Sequence, residues 1–409
     1  MAVISGRYGA VKRLYPTSWD TGGKPVWPSV DTSGIMCQCD IPELNPATIS
    51  SDGLDNGSHH IVSSVTSWSM ENTVTNVEYI ASNTRGYRGQ LEGLHSCTGS
   101  IAGLGGCPPI GPGQRFKFVG FVGPKNSTID SCEGQVYEIA AVANSVQIQI
   151  NYQMSNPITW TVQWQSDFQK LGDELKVSQQ GFWDYSIPPV STMMPSNTAN
   201  LVIYNWDPAS DSWKPFGWDN RPDSAVDALC LLDANINFNT DVSQYANSCS
   251  AVAGGWQSCV VGATGCEISA NIHGDHYSIV RDILYSTDAR DHLPGVDHRI
   301  KLYVQGGEVP AGSGVELANW DFDAMFFGTF GGLNVDMTSN NPLQFSCQMR
   351  YNAFPNGRQG YIRYTPPWTE IPKSGGGVEY SQTPFDFVNM NPLAGKEGIC
   401  DDNNGDNGG

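Results

Sequence analysis

Basic residues are scarce in this sequence, and long apolar runs are missing altogether. Only 22 Lys and Arg stand against 41 Asp and Glu, a formal charge of −19 at pH 7. A protein that grips nucleic acid does so by neutralising phosphates with Lys and Arg, so a DNA-gripping function is disfavoured. The acidity either serves solubility or makes a surface to which nucleic acid does not adhere. No apolar run is long enough to cross a membrane as a helix. Met1 to Lys12 carries no signal-peptide core, so export by that route is not expected.

The motifs of common chemistries are missing too. GxxxxGK[ST], GxGxxG between a strand and a helix, HExxH, GxSxG and CxxC are all absent. The 11 cysteines are odd in number and irregularly spaced. Cys37-Gln38-Cys39 is too tight for a zinc knuckle, so the cysteines are read as mostly buried thiols from a reducing compartment. One dense group of possible ligands, His273, Asp275, His276, Asp282, Asp288, Asp291, His292, Asp297 and His298, raises the question of a divalent metal. No ligand spacing supports one, and loop Asp and His are common for ordinary reasons. Asp52, Asp55 and Asn56 superficially resemble a calcium loop, and a plain turn fits them better. Asp401 to Asp406 resembles one too but lacks the terminal Glu and flanking helices, and is read as a mobile tail. No catalytic residue, no cofactor and no metal are expected, and the protein is not read as an enzyme.

What the chain has in abundance is turns and a period of two. There are 45 Gly and 25 Pro, and only 15% of residues are charged. The length favours two or three domains. The clearest stretch runs from Ala140 to Phe168. Val146, Ile148, Ile150, Tyr152 and Met154 alternate with Gln147, Gln149, Asn151 and Gln153. After Ser155-Asn156-Pro157, Ile158, Trp160, Val162 and Trp164 alternate with Thr159, Thr161, Gln163 and Gln165. This predicts a β-hairpin with one buried face. Its other face is polar but uncharged, where a solvent face normally mixes Lys, Arg, Glu and Asp.

The pattern returns downstream. Leu333, Val335 and Met337 precede the turn Asn340-Asn341-Pro342. Leu343, Phe345, Cys347 and Met349 then alternate with Gln344, Ser346, Gln348 and Arg350, so this copy of the polar face also carries Asp336 and Arg350. Other matches keep the same order: Arg115-Phe116-Lys117-Phe118 with Arg299-Ile300-Lys301-Leu302, Tyr137-Glu138 with Phe322-Asp323, and Asn72-Thr73 with Asn239-Thr240. Several ordered matches point to an internal repeat. The second copy is longer around His276 to Arg290, where Tyr277, Val280, Ile283 and Leu284 fall near helical spacing. A second short helix is expected over Phe168 to Val177. Tyr15 to His60 and the chain after Phe354 lack regular patterning and are read as inter-subunit arms. Trp206, Trp213 and Trp218 lie among Pro, Asp and Gly. They suit core or interface packing, with a carbohydrate site as the sharper alternative.

Ser67-Trp68-Ser69, Asn83-Thr84-Arg85-Gly86-Tyr87-Arg88, Leu91-Glu92-Gly93 and Thr98-Gly99-Ser100-Ile101 together resemble the tube-domain pattern of bacteriophage tail tube proteins. The resemblance covers about residues 1–168. The second unit departs from it, having Gly254-Gly255-Trp256 and Gly262 in place of the Gly–Tyr–Arg and Leu–Glu–Gly elements. It implies an all-β chain of two tandem β-sandwich units, each with a small flanking helix, that assembles into rings. The expected organisation is a first unit at 1–168, a linker at 169–200, a second unit at 201–354 and a C-terminal arm at 355–409.

The resemblance further implies a structural virion protein made in the host cytoplasm and resident in the viral tail. Trimeric, pseudo-hexameric rings would stack into a conduit for DNA, which passes without specific binding. Partners would be other copies and neighbouring tail proteins (terminator, tape measure, tail tip). Gln147, Gln149, Asn151, Gln163, Gln165, Gln344, Ser346 and Gln348 would face the lumen. A tail-tip or baseplate hub ring is the related alternative, and an acidic β-sandwich carbohydrate-binding module or hydrolase is the alternative of another class.

Overall fold

A long strand, β9 (Gly134–Asn151), pairs with four other strands and organises the first half of the chain in this computed structural model. The structure describes residues 10–14, 18–21, 25–26, 38–39, 59–61, 65–81, 83, 85, 87–104, 108, 110–122, 134–151, 157–180, 182–183, 199–207, 212–215, 231–246, 255–273, 297–304, 321–336, 344–351, 361–365, 369–372, 378–381 and 385–389.

The first half contributes β1 (Ala10–Leu14), β2 (Ser18–Trp19), β3 (Pro25–Val26), β4 (Gln38–Cys39) and β5 (His59–Ile61). The longer strands β6 (Val65–Tyr79), β7 (Gly89–Leu104), β8 (Arg115–Val122), β9 and β10 (Thr159–Ser166) follow, then β11 (Lys176–Gln180) and β12 (Phe182–Trp183). The second half contributes β13 (Ala199–Asp207), β14 (Ser212–Pro215), β15 (Leu231–Tyr245), β16 (Ser258–His273), β17 (Asp297–Val304), β18 (Asp321–Asp336) and β19 (Gln344–Tyr351). Last come β20 (Tyr361–Thr365), β21 (Thr369–Pro372), β22 (Val378–Ser381) and β23 (Phe385–Asn389). The fold is all-β, and no helix occurs among the described residues.

The first half of β9 lies between β8 and β11, and its second half lies between β10 and β15. β11 gives way to β10 between Glu138 and Ala141, and β8 to β15 between Val142 and Ser145, where a bulge in the β10 pairing (Ser145 with Gln163, Ala143 with Trp164) skips Asn144. Such an extra residue bends a strand and increases its twist. Phe118 of β8 packs against two aromatic rings, its centroid 4.8 Å from that of Trp164 of β10 and 5.5 Å from that of Trp68 of β6. Gly99 on β7 makes room for that packing, because a Cβ there would overlap the Trp164 indole and the Ser69 carbonyl.

The second half repeats these pairings. β6–β7, β7–β10, β10–β9, β9–β8, β8–β1 and β9–β11 correspond to β15–β16, β16–β19, β19–β18, β18–β17, β17–β13 and β18–β20. The irregularities repeat as well. β6 skips Thr66 and Thr75 against β7, and β15 skips Leu232 and Asp241 against β16. The bulge at Asn144 has its counterpart at Gly331 of β18.

These registers match Trp160, Val162 and Trp164 with Phe345, Cys347 and Met349, as the alternating sequence does. They differ from the sequence matches elsewhere. Arg115 corresponds to Asp297 rather than Arg299, Tyr137 to Ala324 rather than Phe322, and Asn239 to Thr73 rather than Asn72. The first two are shifts of two, which keep side chains on the same face, so alternation alone could not choose between those registers. The third is a shift of one, which reverses the face.

Three other expectations change. Phe168 to Val177 forms a turn and then β11, not a helix, because the Asp173 carboxylate accepts from the backbone N–H of Gln169 and Lys170 and Gly172 takes a positive φ of 100°. The segment read as a linker therefore adds β11 to β9 and, at Phe182–Trp183, β12 to β4. Residues read as a C-terminal arm add β20 to β18, and β23 extends β20. The helical insertion expected over His276 to Arg290 lies outside the described residues, as does most of Tyr15 to His60.

Candidate assembly sheet

Four strands from each half form one continuous antiparallel sheet in the order β6–β7–β10–β9–β15–β16–β19–β18. Its centre is the β9–β15 pairing, which runs from Asn151 opposite Asp233 to Ser145 opposite Asn239. Beneath this junction Ile148, Ile236 and Phe238 are fully or almost fully buried in a core shared by both halves. Burying an aliphatic or aromatic side chain of this size is worth about 1.5–3 kcal/mol, so the seam is a packed interior and not a loose domain contact.

A polar clamp also holds the halves together, alongside the core. Asp167, 2% exposed, accepts from Arg115 Nε at 2.6 Å and from the backbone N–H of Cys259 at 2.8 Å. Arg115 Nη2 donates to the Cys259 carbonyl, and Ser258 Oγ donates to the Phe168 carbonyl. Arg115 and Asp167 come from the first half, and Ser258 and Cys259 begin β16 of the second. Sequence reasoning noted the Arg–Lys strand but not this role, since the partner lies across the fold and no local spacing encodes it.

The sheet face turned away from the core is amide- and hydroxyl-rich. Gln147, Asn151, Gln344 and Ser346 are half-buried on it, and Gln149, Gln163 and Gln348 are exposed. Cross-strand hydrogen bonds knit it together: Ser69 with Ser100, Ser145 to Asn237, Thr159 to Gln149, and Asn271 Nδ2 to Asp233 Oδ1 at 2.8 Å. Gln165 departs from the group, because its Nε2 donates to Cys259 Sγ at 3.3 Å at the clamp. The face is not free of charge. Glu71 and Asp233 lie on it, and Glu267 stands opposite Arg350 in the register. Carboxylates outnumber the single cation among these described side chains.

The two outer edges differ from the seam. β6 pairs only with β7, and Gly331–Asp336 of β18 pairs only with β19, among the described residues. β15, covered by β9, keeps Ala234, Ile236 and Phe238 buried, whereas the matching Trp68 and Met70 of β6 are half-buried and Asn72 is exposed. The β6–β7 hairpin tip carries further uncovered apolar side chains at Val77, Ile80, Tyr87 and Leu91.

No three His, Cys, Asp or Glu cluster as a metal site among the described residues. Most of the His/Asp-rich window from His273 to His298 lies outside them. Trp206 stands opposite Trp213 in the β13–β14 pairing, and Trp218 is not described. No helix among the described residues is long and apolar enough to cross a membrane.

The class defined by this geometry is an all-β protein, antiparallel apart from the short β4–β12 pair, whose main sheet has two free edges among the described residues and one set of strand pairings used twice. No family model and no curated protein matches the chain. Among solved structures, one similar chain comes from the tail of an empty GTA particle, determined by helical refinement with C6 symmetry. It is 12% identical, the match covers 38% of this chain and 92% of that one, and the TM-score is 0.23. A likeness of that size carries no functional conclusion.

Proposed function

We propose that the protein is a structural subunit of a viral tail, and specifically the tube subunit whose rings stack into a conduit for DNA. The observation that carries this is the eight-strand sheet, which among the described residues has a packed internal seam, two unpaired edges and a polar face without cationic excess. Exposed strand edges invite association, and a sheet closed on itself removes them. Three copies would supply about 24 strands, which at the usual inter-strand spacing gives a circumference of about 115 Å and a diameter of about 37 Å before strand tilt widens it. Membrane barrels of 16–18 strands already leave an aqueous channel.

The chemistry of the polar face suits passage better than capture. Gln147, Gln149, Gln163 and Gln348 offer hydrogen-bonding groups, while the carboxylates offer phosphates no counter-charge to hold. DNA would slide past such a wall, since tight phosphate binding needs Lys or Arg. Each half of the chain would then be one tube-like unit, and the chain a duplication of it.

Negative-stain images of the purified full-length protein test the proposal. Hollow rods or closed rings with threefold or pseudo-sixfold symmetry are expected. Dispersed monomers at all concentrations would overturn it.

A further inference from the structure

We propose that β6 of one copy adds to the free half of β18 of a second copy, in the register that β15 and β9 use within the chain. Glu71 would stand opposite Asn334. The proposal deepens the ring reading and rests on it.

The chain itself contains the template. β15 corresponds to β6 residue for residue through two shared irregularities, so Asn237 matches Glu71 and Ile236 matches Met70. β18 corresponds to β9 through the bulge at Gly331 and Asn144, so Asn334 matches Gln147 and Val335 matches Ile148. Within the chain Asn237 pairs with Gln147 and Ile236 with Ile148. Transferring this register pairs Ser69 with Asp336, Met70 with Val335, Glu71 with Asn334, Asn72 with Leu333 and Thr73 with Gly332.

Three observations favour a second copy over any other occupant. Both edges are unpaired among the described residues, and they are the two halves of one junction already made internally. Trp68 and Met70 are half-buried against the core, where their counterparts under the seam, Ala234 and Ile236, are 3% and 0% exposed. The missing cover is therefore of the size that β9 gives β15. Finally, the two edges are different surfaces, so the contact is head-to-tail, and such a contact continues until it closes a ring or grows a filament. Repetition of the internal seam would make every junction around the ring alike.

Cysteine pairs read the register directly, because a disulfide demands a Cβ separation of about 3.5–4.5 Å, a spacing that opposed residues of an antiparallel pair approach. Full-length Glu71→Cys/Asn334→Cys is assembled, oxidised with diamide and run on a non-reducing gel. Each single variant controls for the native thiols. Asn237→Cys/Gln147→Cys, the internal equivalent, controls for geometry by forming an intrachain bond.

Covalent dimers and trimers from Glu71→Cys/Asn334→Cys are expected, with at least tenfold less product from the shifted pair Glu71→Cys/Asp336→Cys. A second matched pair, Ser69→Cys/Asp336→Cys, is expected to behave as the first and guards against one pair that fails to assemble. Rings or rods that form while only the shifted pair, or neither matched pair, cross-links would overturn the register and leave the ring reading standing. Absence of any rings or rods, with monomers alone on the gel, would overturn both.

Discussion

Asp167 is buried, yet it is a carboxylate, and its neighbours explain how the fold tolerates it. Arg115 supplies the counter-charge, and Gln169 Nε2 and the Cys259 N–H supply further donors. Removing one partner of a buried ion pair leaves an uncompensated charge at a cost of about 3–5 kcal/mol. Arg115→Ala is therefore expected to lower stability by about that much in urea unfolding. Arg115→Lys should recover only part, since a single ammonium cannot reproduce the donations from both Nε to Asp167 and Nη2 to the Cys259 carbonyl.

The thiols make a second prediction at this scale. Burial pushes the pKa of Cys347 up from 9.0 to about 12, and burial followed by the nearby Asp167 does the same for Cys259. Cys97 rises to about 12 as well, from burial and then Glu71. These thiols should resist iodoacetamide at pH 8 in the native protein and react once it is denatured. The native state keeps the proton that the unfolded chain releases above about pH 9, so the stabilising effect is complete below that pH. It should fall from there towards pH 12 by roughly 1 kcal/mol per pH unit for each thiol as buried as Cys347. Unfolding midpoints measured from pH 8 to 11 check the slope.

Among elements, the alternation of β9 and β10 was readable at once. Val146, Ile148, Ile150, Trp160, Val162 and Trp164 are buried as their spacing predicts. Alternation says nothing about which strand lies alongside, however. The break at Asn144, the addition of β15 to β9 and the two-residue shift that pairs Arg115 with Asp297 by position are all long-range facts. Phe168 to Val177 misled for a different reason: the Asp173 carboxylate outcompetes helical hydrogen bonding there, and β9 offers an edge for β11. The polar face gives this scale its prediction. Gln149→Lys/Gln163→Lys adds two cations to a partly exposed surface. Thermal stability should change by only about 0.5 kcal/mol per site, whereas DNA should be retained by assembled tubes at low salt and released as salt rises. Retention measured from ~20 to ~300 mM salt, which spans the screening range, distinguishes this wall from a gripping one.

For the whole molecule, the significant feature is that one junction is satisfied internally and its counterpart is left open. Among the described residues a single chain leaves one edge of β6 and one of β18 unpaired, and on the proposed reading edge pairing between copies would complete the sheet. Assembly should depend on concentration and resist salt, because the seam it copies is packed with Ile148, Ile236 and Phe238 and apolar burial is not screened. Sedimentation at two salt concentrations should show the same assembled fraction; dissolution of the assembly by salt alone would point to a charge-driven contact instead.

The sequence by itself determined the class of fold and the buried faces of β9, β10, β15 and β19. Those features follow from a period of two and from turn residues, which act over a few positions. The tertiary structure decided the register, the bulges, the Arg115–Asp167 clamp and the position of the two edges left unpaired among the described residues. Each of these depends on which distant segment lies alongside, and backbone hydrogen bonding between strands is blind to local spelling. The uncharged hairpin face illustrates the division: its Gln and Thr residues were legible in order, but Glu71, Asp233 and Glu267 join them on one surface only when the sheet brings their strands together.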